Sequence, residues 1–346
     1  MELAFVIEKF VLVTVIFMVS LGVAAYSTLA ERKIAAFLQG RVGPSRAGWG
    51  GMFQPLADGA KMFFKEEIIP TQSNPFLFIA GPSLALMTAL IGSAVIPFGQ
   101  SLTFGDKVIN LQVADINVGI LYIFGVVSLG VYGIMIGGWA SNNKFSLMGA
   151  IRAASQNISY EIAMGLSIIA LLMVTGSLSL KTIAEQQSGF LNWNVWAQPL
   201  GFLIFIICAF AECNRTPFDL PESENELVGG YHTEYSGMKL GGFLFAEYIN
   251  MFVSSAVMAT LYFGGYNFPF MNDLGLPPNV ITIIGVLFLF AKIFFFIFFF
   301  MWVRWTVPRF RYDQLMNLGW KVLIPLGIAN IVITGIWIIV KDTYFK

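Results

Sequence analysis

Eight apolar runs set the terms for this chain: Phe5–Leu29, Phe76–Phe98, Val118–Trp139, Asn157–Gly176, Trp193–Ala211, Gly242–Gly264, Val280–Val303 and Trp320–Val340. Crossing about 30 Å of hydrocarbon takes roughly 20 residues of helix. Lipid offers no partner for a free peptide group, so runs of this length are helical. Only 12% of the 346 residues are charged and 57% are apolar, whereas soluble domains carry about 25% and 45–50%. Buried helices of a soluble core would not deplete the whole chain of charge in this way. The predicted fold class is therefore all-α, a polytopic membrane protein with eight transmembrane helices. Residues 1–346 read as a single integral membrane domain without internal repeats. The N-terminus lacks a basic n-region and a small-residue cleavage site, so it reads as the first span.

Several function classes drop out. Formal net charge is zero, which gives no electrostatic reason to expect nucleic acid. Cys208 and Cys213 are too few for a disulfide framework or a four-cysteine cluster. His232 is the only histidine, which excludes bis-histidine haem and argues against any metal site. No phosphate-cradling glycine motif occurs, so the chain itself should bind neither ATP nor NADH.

Loop charge gives an orientation. The loops after spans 1, 3, 5 and 7 hold thirteen basic residues, and those after spans 2, 4 and 6 hold only Lys107 and Lys181. The positive-inside rule puts the basic side in the cytoplasm and both termini in the periplasm. Within the first basic loop, Trp49, Met52, Phe53, Leu56, Ala60, Phe63 and Phe64 recur at three and four, the period of one helix face. This predicts an amphipathic helix at the membrane interface, covered either by lipid or by a partner protein.

Charge inside a membrane costs roughly 2.5–3.5 kcal/mol per group and so needs a reason. Glu161 and Glu247 fall in the first turns of spans 4 and 6, and Glu212 ends span 5. All three then sit at one depth, just inside the cytoplasmic boundary. A helix dipole would favour Glu161 and Glu247 but not Glu212, at the negative end; Arg215 is a candidate partner there. The alternative is a proton path, because clustered carboxylates in low dielectric can hold and pass protons near neutral pH. Lys292 is the deepest basic group, about ten residues or roughly 15 Å into span 7, and either loses its proton or pairs with a carboxylate. Asp219, Glu222, Glu224 and Glu226 lie within eight residues of one another after span 5. They form either a solvated surface or an acidic entrance beside the carboxylates. Arg32, Arg41 and Arg46 flank a Gly-Pro turn, as an ordinary positive-inside loop or as groups facing a polar head group.

These residues carry a resemblance. Residues 31–44 (ERKIAAFLQGRVGP), 54–66 (QPLADGAKMFFKE), 138–146 (GWASNNKFS), 152–161 (RAASQNISYE), 211–222 (AECNRTPFDLPE) and 308–315 (PRFRYDQL) resemble a family of respiratory complex I. It is the family of the membrane protein known as the H subunit in bacteria and as subunit 1 in mitochondria. That family's order is kept over nearly the whole chain, and the outward loops match least. The resemblance implies eight spans and an interfacial helix that wall a quinone chamber and its lipid-side entrance. Arg32, Phe37, Arg41 and Asp58 would belong to the chamber. Glu161, Glu212 and Glu247, with Lys292, would form the proton path, and Asp219, Glu222, Glu224 and Glu226 an acidic loop that responds to quinone reduction. No cofactor is expected on this chain; FMN and iron–sulfur clusters belong to partner subunits, and quinone is the substrate. Lys292 is closer to bacterial members, which points to a bacterial inner membrane. A secondary transporter would show paired repeats with broken helices. A structural anchor of a membrane hydrogenase would not need the arginine-rich and acidic loops together.

Overall fold

The computed structural model describes residues 2–105, 107–269, 271 and 275–344, without the side chains of residues 2–4, 104, 224 and 225. Among the described residues, seven helical stretches are long and apolar enough to cross a membrane. They are α1 (Glu2–Leu38), α3 (Pro75–Gly92), α4 (Gly119–Ala140), α5 (Lys144–Thr175), α10 (Gly237–Tyr262), α11 (Pro278–Thr306) and the run Tyr312–Tyr344. The last run joins α12 (Tyr312–Asn317) to α13 (Ile324–Tyr344) through a π-helical turn at Leu318–Leu323. Between these lie α2 (Gln54–Phe64), α6 (Leu180–Gln186), α7 (Asn194–Ala197), α8 (Pro199–Glu212) and α9 (Glu224–Leu227). The chain is a polytopic, all-α membrane protein.

Local chemistry sets the ends. Asn74 accepts from the Phe76 and Leu77 amides, and Pro75 opens α3 where no amide proton is needed. Asn143 caps α5 through the Phe145 amide, and Gly176 closes it in the left-handed region at φ 66°.

Two expectations about the spans need correction. α5 starts at Lys144, thirteen residues before its apolar run, and α10 starts at Gly237. Glu161 and Glu247 therefore lie well inside their helices, beyond the reach of an N-terminal dipole. Residues 146–157 stay helical although Ser146, Arg152, Ser155 and Gln156 break the apolar run, because Ser146, Gly149, Ala153 and Gln156 are buried against protein. The run Trp193–Ala211 is not one helix. Gln198 takes φ −133°, ψ 58° because Pro199 disfavours the helical conformation in the residue before it. What remains, α8, has 14 residues, about 21 Å of rise.

α10 lies at the centre, packed on α1, α3 and α11. Phe78 of α3 stacks on Tyr235 just before it, with ring centroids 4.1 Å apart. α3 and α4 approach closely through Gly81, Gly133 and Gly137, the small-residue packing that membrane helices use in place of a hydrophobic driving force. On the face carrying the chain termini, β1 (Ser101–Phe104) and β2 (Lys107–Asn110) make an antiparallel hairpin with Ser101 opposite Asn110. Asn279 of α11 holds it by accepting from the Thr103 amide at 2.8 Å and donating to the Thr103 carbonyl at 2.6 Å. The period-two signal in this outward loop is too short to have flagged it.

α2 turns Pro55, Asp58 and Met62 towards α1 and α10 and leaves Leu56, Phe63 and Phe64 exposed. A Cβ added at Gly133 would meet the Ala85 nitrogen at 2.8 Å and the Gly81 carbonyl at 2.9 Å, whereas one at Gly22 would meet nothing within 4 Å. We predict that Gly133→Val forces α3 from α4 at a cost of about 1–3 kcal/mol. Its yield in membranes and thermal midpoint should fall, with Gly22→Ala unchanged; equal behaviour would refute the backbone contact.

Candidate functional site

Glu31, near the end of α1, anchors the polar interior. Its Oε2 accepts from Arg215 Nη1 at 2.9 Å and from the Tyr248 hydroxyl at 2.8 Å, and Arg304 Nη1 lies 2.6 Å from Oε1. The Arg215 guanidinium stacks 4.2 Å from the Tyr248 ring centroid, with Nη2 4.0 Å from a Glu247 oxygen. Burial works against the Arg215 charge, and Glu31, Tyr248 and Glu247 outweigh it, so the guanidinium is held charged. Sequence reading offered Glu212 as the Arg215 partner; the structure gives Arg215 to Glu31 instead.

Beside this cluster a cavity of about 250 Å³ opens between α1, α2, α10 and α11. Ala25, Pro55, Met62, Leu244 and Phe245 make apolar walls, and Glu31, Arg32, Asp58, Tyr248 and Arg304 a polar end. Arg32 pairs with Asp58 at 2.8 Å, and Gln54 donates to Asp58 at 3.0 Å. A wider hollow of about 560 Å³ shares Arg32 and Trp305 with the first and adds Arg41 and Arg46. Phe37 lines neither; it stands 83% exposed on α1.

On the other side of Arg215 runs a line of acids. The Tyr231 hydroxyl sits 2.9 Å from both Glu247 and Glu222. His232 Nε2 is 3.6 Å from Glu222. Burial would raise Glu222, but bonds from Glu247, His232 and Tyr231 hold it well below the usual carboxylate range. Burial would lower His232, and Glu222 reverses this and raises it. Burial, then the Glu222 charge, pushes Asp219 up to about 6 despite Arg309 at 2.9 Å. Glu226 pairs with Arg152 at 2.5 Å. The loop is thus not a free acidic surface: Asp219, Glu222 and Glu226 are each engaged, and the Glu224 side chain lies outside the described residues.

Glu212 and Glu247 face one small hollow, together with Asn157 and Tyr231. Glu161 accepts from Ser128 of α4 and is near enough to Glu212 for their charges to interact. The structure therefore brings Glu161, Glu212, Glu247 and Glu222 together. It does not bring Lys292 to them. The Lys292 ammonium donates to the Phe263, Gly265 and Asn267 carbonyls at 2.7, 2.7 and 2.6 Å and lies 5.0 Å from the Trp193 ring centroid. Sequence reading missed Glu31, Tyr231, Tyr248 and the role of His232. An acid in the last turns of an apolar helix was the available signal for Glu31.

Helices of membrane length, a lateral cavity with an ionic end and a buried line of acids define a class: a multi-pass membrane protein built to handle charge beside an apolar ligand space. A family model described as NADH dehydrogenase matches residues 10–335. The chain is 65% identical over 344 residues to the NADH-quinone oxidoreductase H subunit of Flavobacterium johnsoniae, covering 99% of this chain and 98% of the relative. It is 67% identical over 331 residues to the NADH-quinone oxidoreductase H subunit 1 of Cytophaga hutchinsonii, covering 96% of each. NADH-quinone oxidoreductase subunit 8 of Rhodothermus marinus is 48% identical over 322 residues, 90% of this chain and 92% of the relative. The chain belongs to the H subunit family of NADH-quinone oxidoreductase, complex I, and is a multi-pass inner-membrane subunit of that enzyme.

Removing one member of a buried ion pair strands the other, at a cost of about 3–5 kcal/mol. Glu31→Ala should therefore destabilise the subunit, and Glu31→Ala with Arg215→Met should recover part of the loss; an additive loss in thermal unfolding would contradict the pairing. A second prediction concerns pH. His232 has its folded pKa raised above 6.5, so its contribution is full below 6.5 and lost as pH rises through the raised value. Glu222, lowered from 4.5, loses its contribution only as pH falls through the lowered value. Amide exchange over residues 219–236, corrected for intrinsic chemistry, should quicken as pH rises above the His232 value. His232→Gln should flatten that profile.

Proposed function

We propose that this subunit forms the wall and lipid-side entrance of a quinone chamber and couples quinone reduction to proton translocation through its buried carboxylates. One observation carries the reading: the polar end of the 250 Å³ cavity is continuous, through Glu31, Arg215 and Glu247, with the hollow shared by Glu212 and the Glu161 pair beyond it. An apolar-walled cavity with one ionic end suits a molecule with a long hydrocarbon tail and a polar head. Arg32, Asp58 and Arg304 would meet the head group, with Arg41 in the wider hollow on the route towards partner subunits.

Arg215 is the electrical link. It touches Glu31 at 2.9 Å and Glu247 at 4.0 Å. A proton arriving on Glu31 weakens its hold on Arg215 and strengthens the pull of Arg215 on Glu247. Charge created in the cavity is thereby felt along the line towards Glu222, Glu212 and Glu161. The acidic loop 219–226 is tied to the same line through Tyr231, so quinone chemistry and loop position would move together. Lys292, bound to backbone carbonyls, stands apart from this line of acids.

Chain geometry supports α7 and α8 together as an eighth crossing. α5 ends at Thr175 on the face of the termini, whereas α10 begins next to the opposite loop, where Ser236 bonds the Glu66 carbonyl and Lys239 pairs with Glu67. The connection must return across the membrane. Loop charge then assigns the arginine-rich face to the cytoplasm and both termini to the periplasm. The exposed stripe of α2, Leu56, Phe63 and Phe64, would lie in the interface at the mouth of the cavity. FMN and iron–sulfur clusters would reside on the peripheral partners, and other membrane subunits would receive the protons.

Glu212→Gln in the assembled enzyme should lower coupled NADH:quinone turnover by about tenfold or more while NADH oxidation by a hydrophilic artificial acceptor persists. Normal proton pumping at normal turnover in that variant would sink the path. A photoreactive quinone analogue should mark α1 or α2; labelling restricted to the hairpin face would sink the entrance.

A further inference from the structure

Glu212 stands between two small hollows of unlike character. The first, about 20 Å³, is lined by Ile123, Phe124, Val127, Met164 and Val257, with Ser254 as the one polar neighbour besides Glu212 itself. The second, about 30 Å³, brings Glu212 together with Glu247, Asn157, Asn214, Tyr231 and Asn250. A water molecule needs roughly 10–15 Å³ of such space and two to four polar partners; apolar hollows of that size stay dry. Both hollows are large enough, but the first offers only Ser254 besides Glu212, whereas the second gathers five further polar side chains around it.

Asn157 is 8% exposed, and its Oδ1 is buried without a protein partner. A buried carbonyl-type oxygen left unpaired is costly, so it marks a place where a donor belongs. Two of the neighbouring polar groups are already committed. The Tyr231 hydroxyl is shared by Glu222 and Glu247, and Asn214 Oδ1 accepts from Gln156. Asn157 lies one helical turn before Glu161 on α5, so both point to the same side of that helix.

We propose that Asn157 is a positioning residue that holds one water molecule between the Glu212 and Glu247 carboxyl groups. This rests on the proton-path reading above and deepens it. One water proton bonds Asn157 Oδ1 and the other a Glu247 oxygen, while the water oxygen accepts from protonated Glu212. Transfer then balances: the Glu212 O–H bond breaks, its proton joins the water oxygen, and the water passes its own proton to Glu247. Glu212 is left as the carboxylate, Glu247 as the acid, and the water is restored. The hollow on the other side of Glu212 is mostly apolar, so Asn157 stands on the side of Glu212 that faces Glu247.

The test uses the assembled enzyme in native membranes, with NADH oxidation by a hydrophilic acceptor as the measure of assembly. Asn157→Leu should cut coupled NADH:quinone turnover by about tenfold and change its solvent deuterium isotope effect, and Asn157→Thr, which keeps a buried acceptor, should restore most of the rate. A water-resolving density map should show one ordered water within hydrogen-bond distance of Asn157 and both carboxyl groups. If Asn157→Leu turns over at the wild-type rate while Glu212→Gln is slow, the Asn157 role is overturned and the path stands. If both variants turn over normally, the path falls and the Asn157 role falls with it.

Discussion

A single carboxylate buried among two guanidinium groups organises this subunit. Taking an ion pair out of water costs several kcal/mol per ion, and attraction repays that only when further hydrogen bonds satisfy the remaining atoms. Glu31 meets the condition with Arg215, Arg304 and Tyr248. These four residues come from α1, the segment after α8, α11 and α10. Withdrawing any of the three ions would strand charge, and withdrawing Tyr248 would remove a hydrogen bond from Glu31, so the cluster ties together elements that lipid-facing apolar surface alone would let slide. The same cluster forms the end of the lateral cavity, so the group that fixes the packing also faces the ligand space.

The segment from Cys213 to Ser236 depends on that anchor. It has little regular structure, yet it is mostly buried, and buried backbone needs partners. Gln156 ties it down, donating to the Phe218 carbonyl, to the Asn214 side-chain oxygen and to the Ala211 carbonyl just before the segment. Phe218 and Leu220 are buried, and Arg309 and Arg152 each take one acid of the segment. Charge neutralisation, not solvation, is what lets so acidic a segment fold into the protein.

Much of this was legible in the chain. Seven of the eight apolar runs contain membrane-length helices, because hydropathy reports lipid contact directly. Glu161, Glu212 and Glu247 converge as their common depth implied, although two of them lie deep in helices whose polar first turns hydropathy cannot see. Residues 144–156 mix apolar with small and polar side chains that pack against neighbouring protein, and no window of lipid preference detects that. The break before Pro199 was visible as a proline and was overridden by the apolar run around it. The Arg215 partner was not legible, since Glu31 lies 184 residues away and chain distance carries no record of it. His232 was read only for metal, whereas its neighbour in space, Glu222, gives it an ionic role.

Lys292 shows how the membrane constraint divides labour among buried charges. α10 ends at Tyr262, and the irregular backbone that follows is buried. Carbonyls at such a point have no water to pair with, and each unpaired one costs several kcal/mol. The three N–H groups of one lysine satisfy those of Phe263, Gly265 and Asn267 at once, with the Trp193 ring adding cation–π contact. A lysine held this way is tied to the backbone, with no carboxylate within its bonding shell among the described residues. The carboxylate line has the opposite character: a shared hydroxyl, an arginine poised between two acids, and a polar hollow between one of these and a third. The lysine stands where the backbone needs donors, and the acids gather where the arginine can feel both the cavity and the carboxylates beyond.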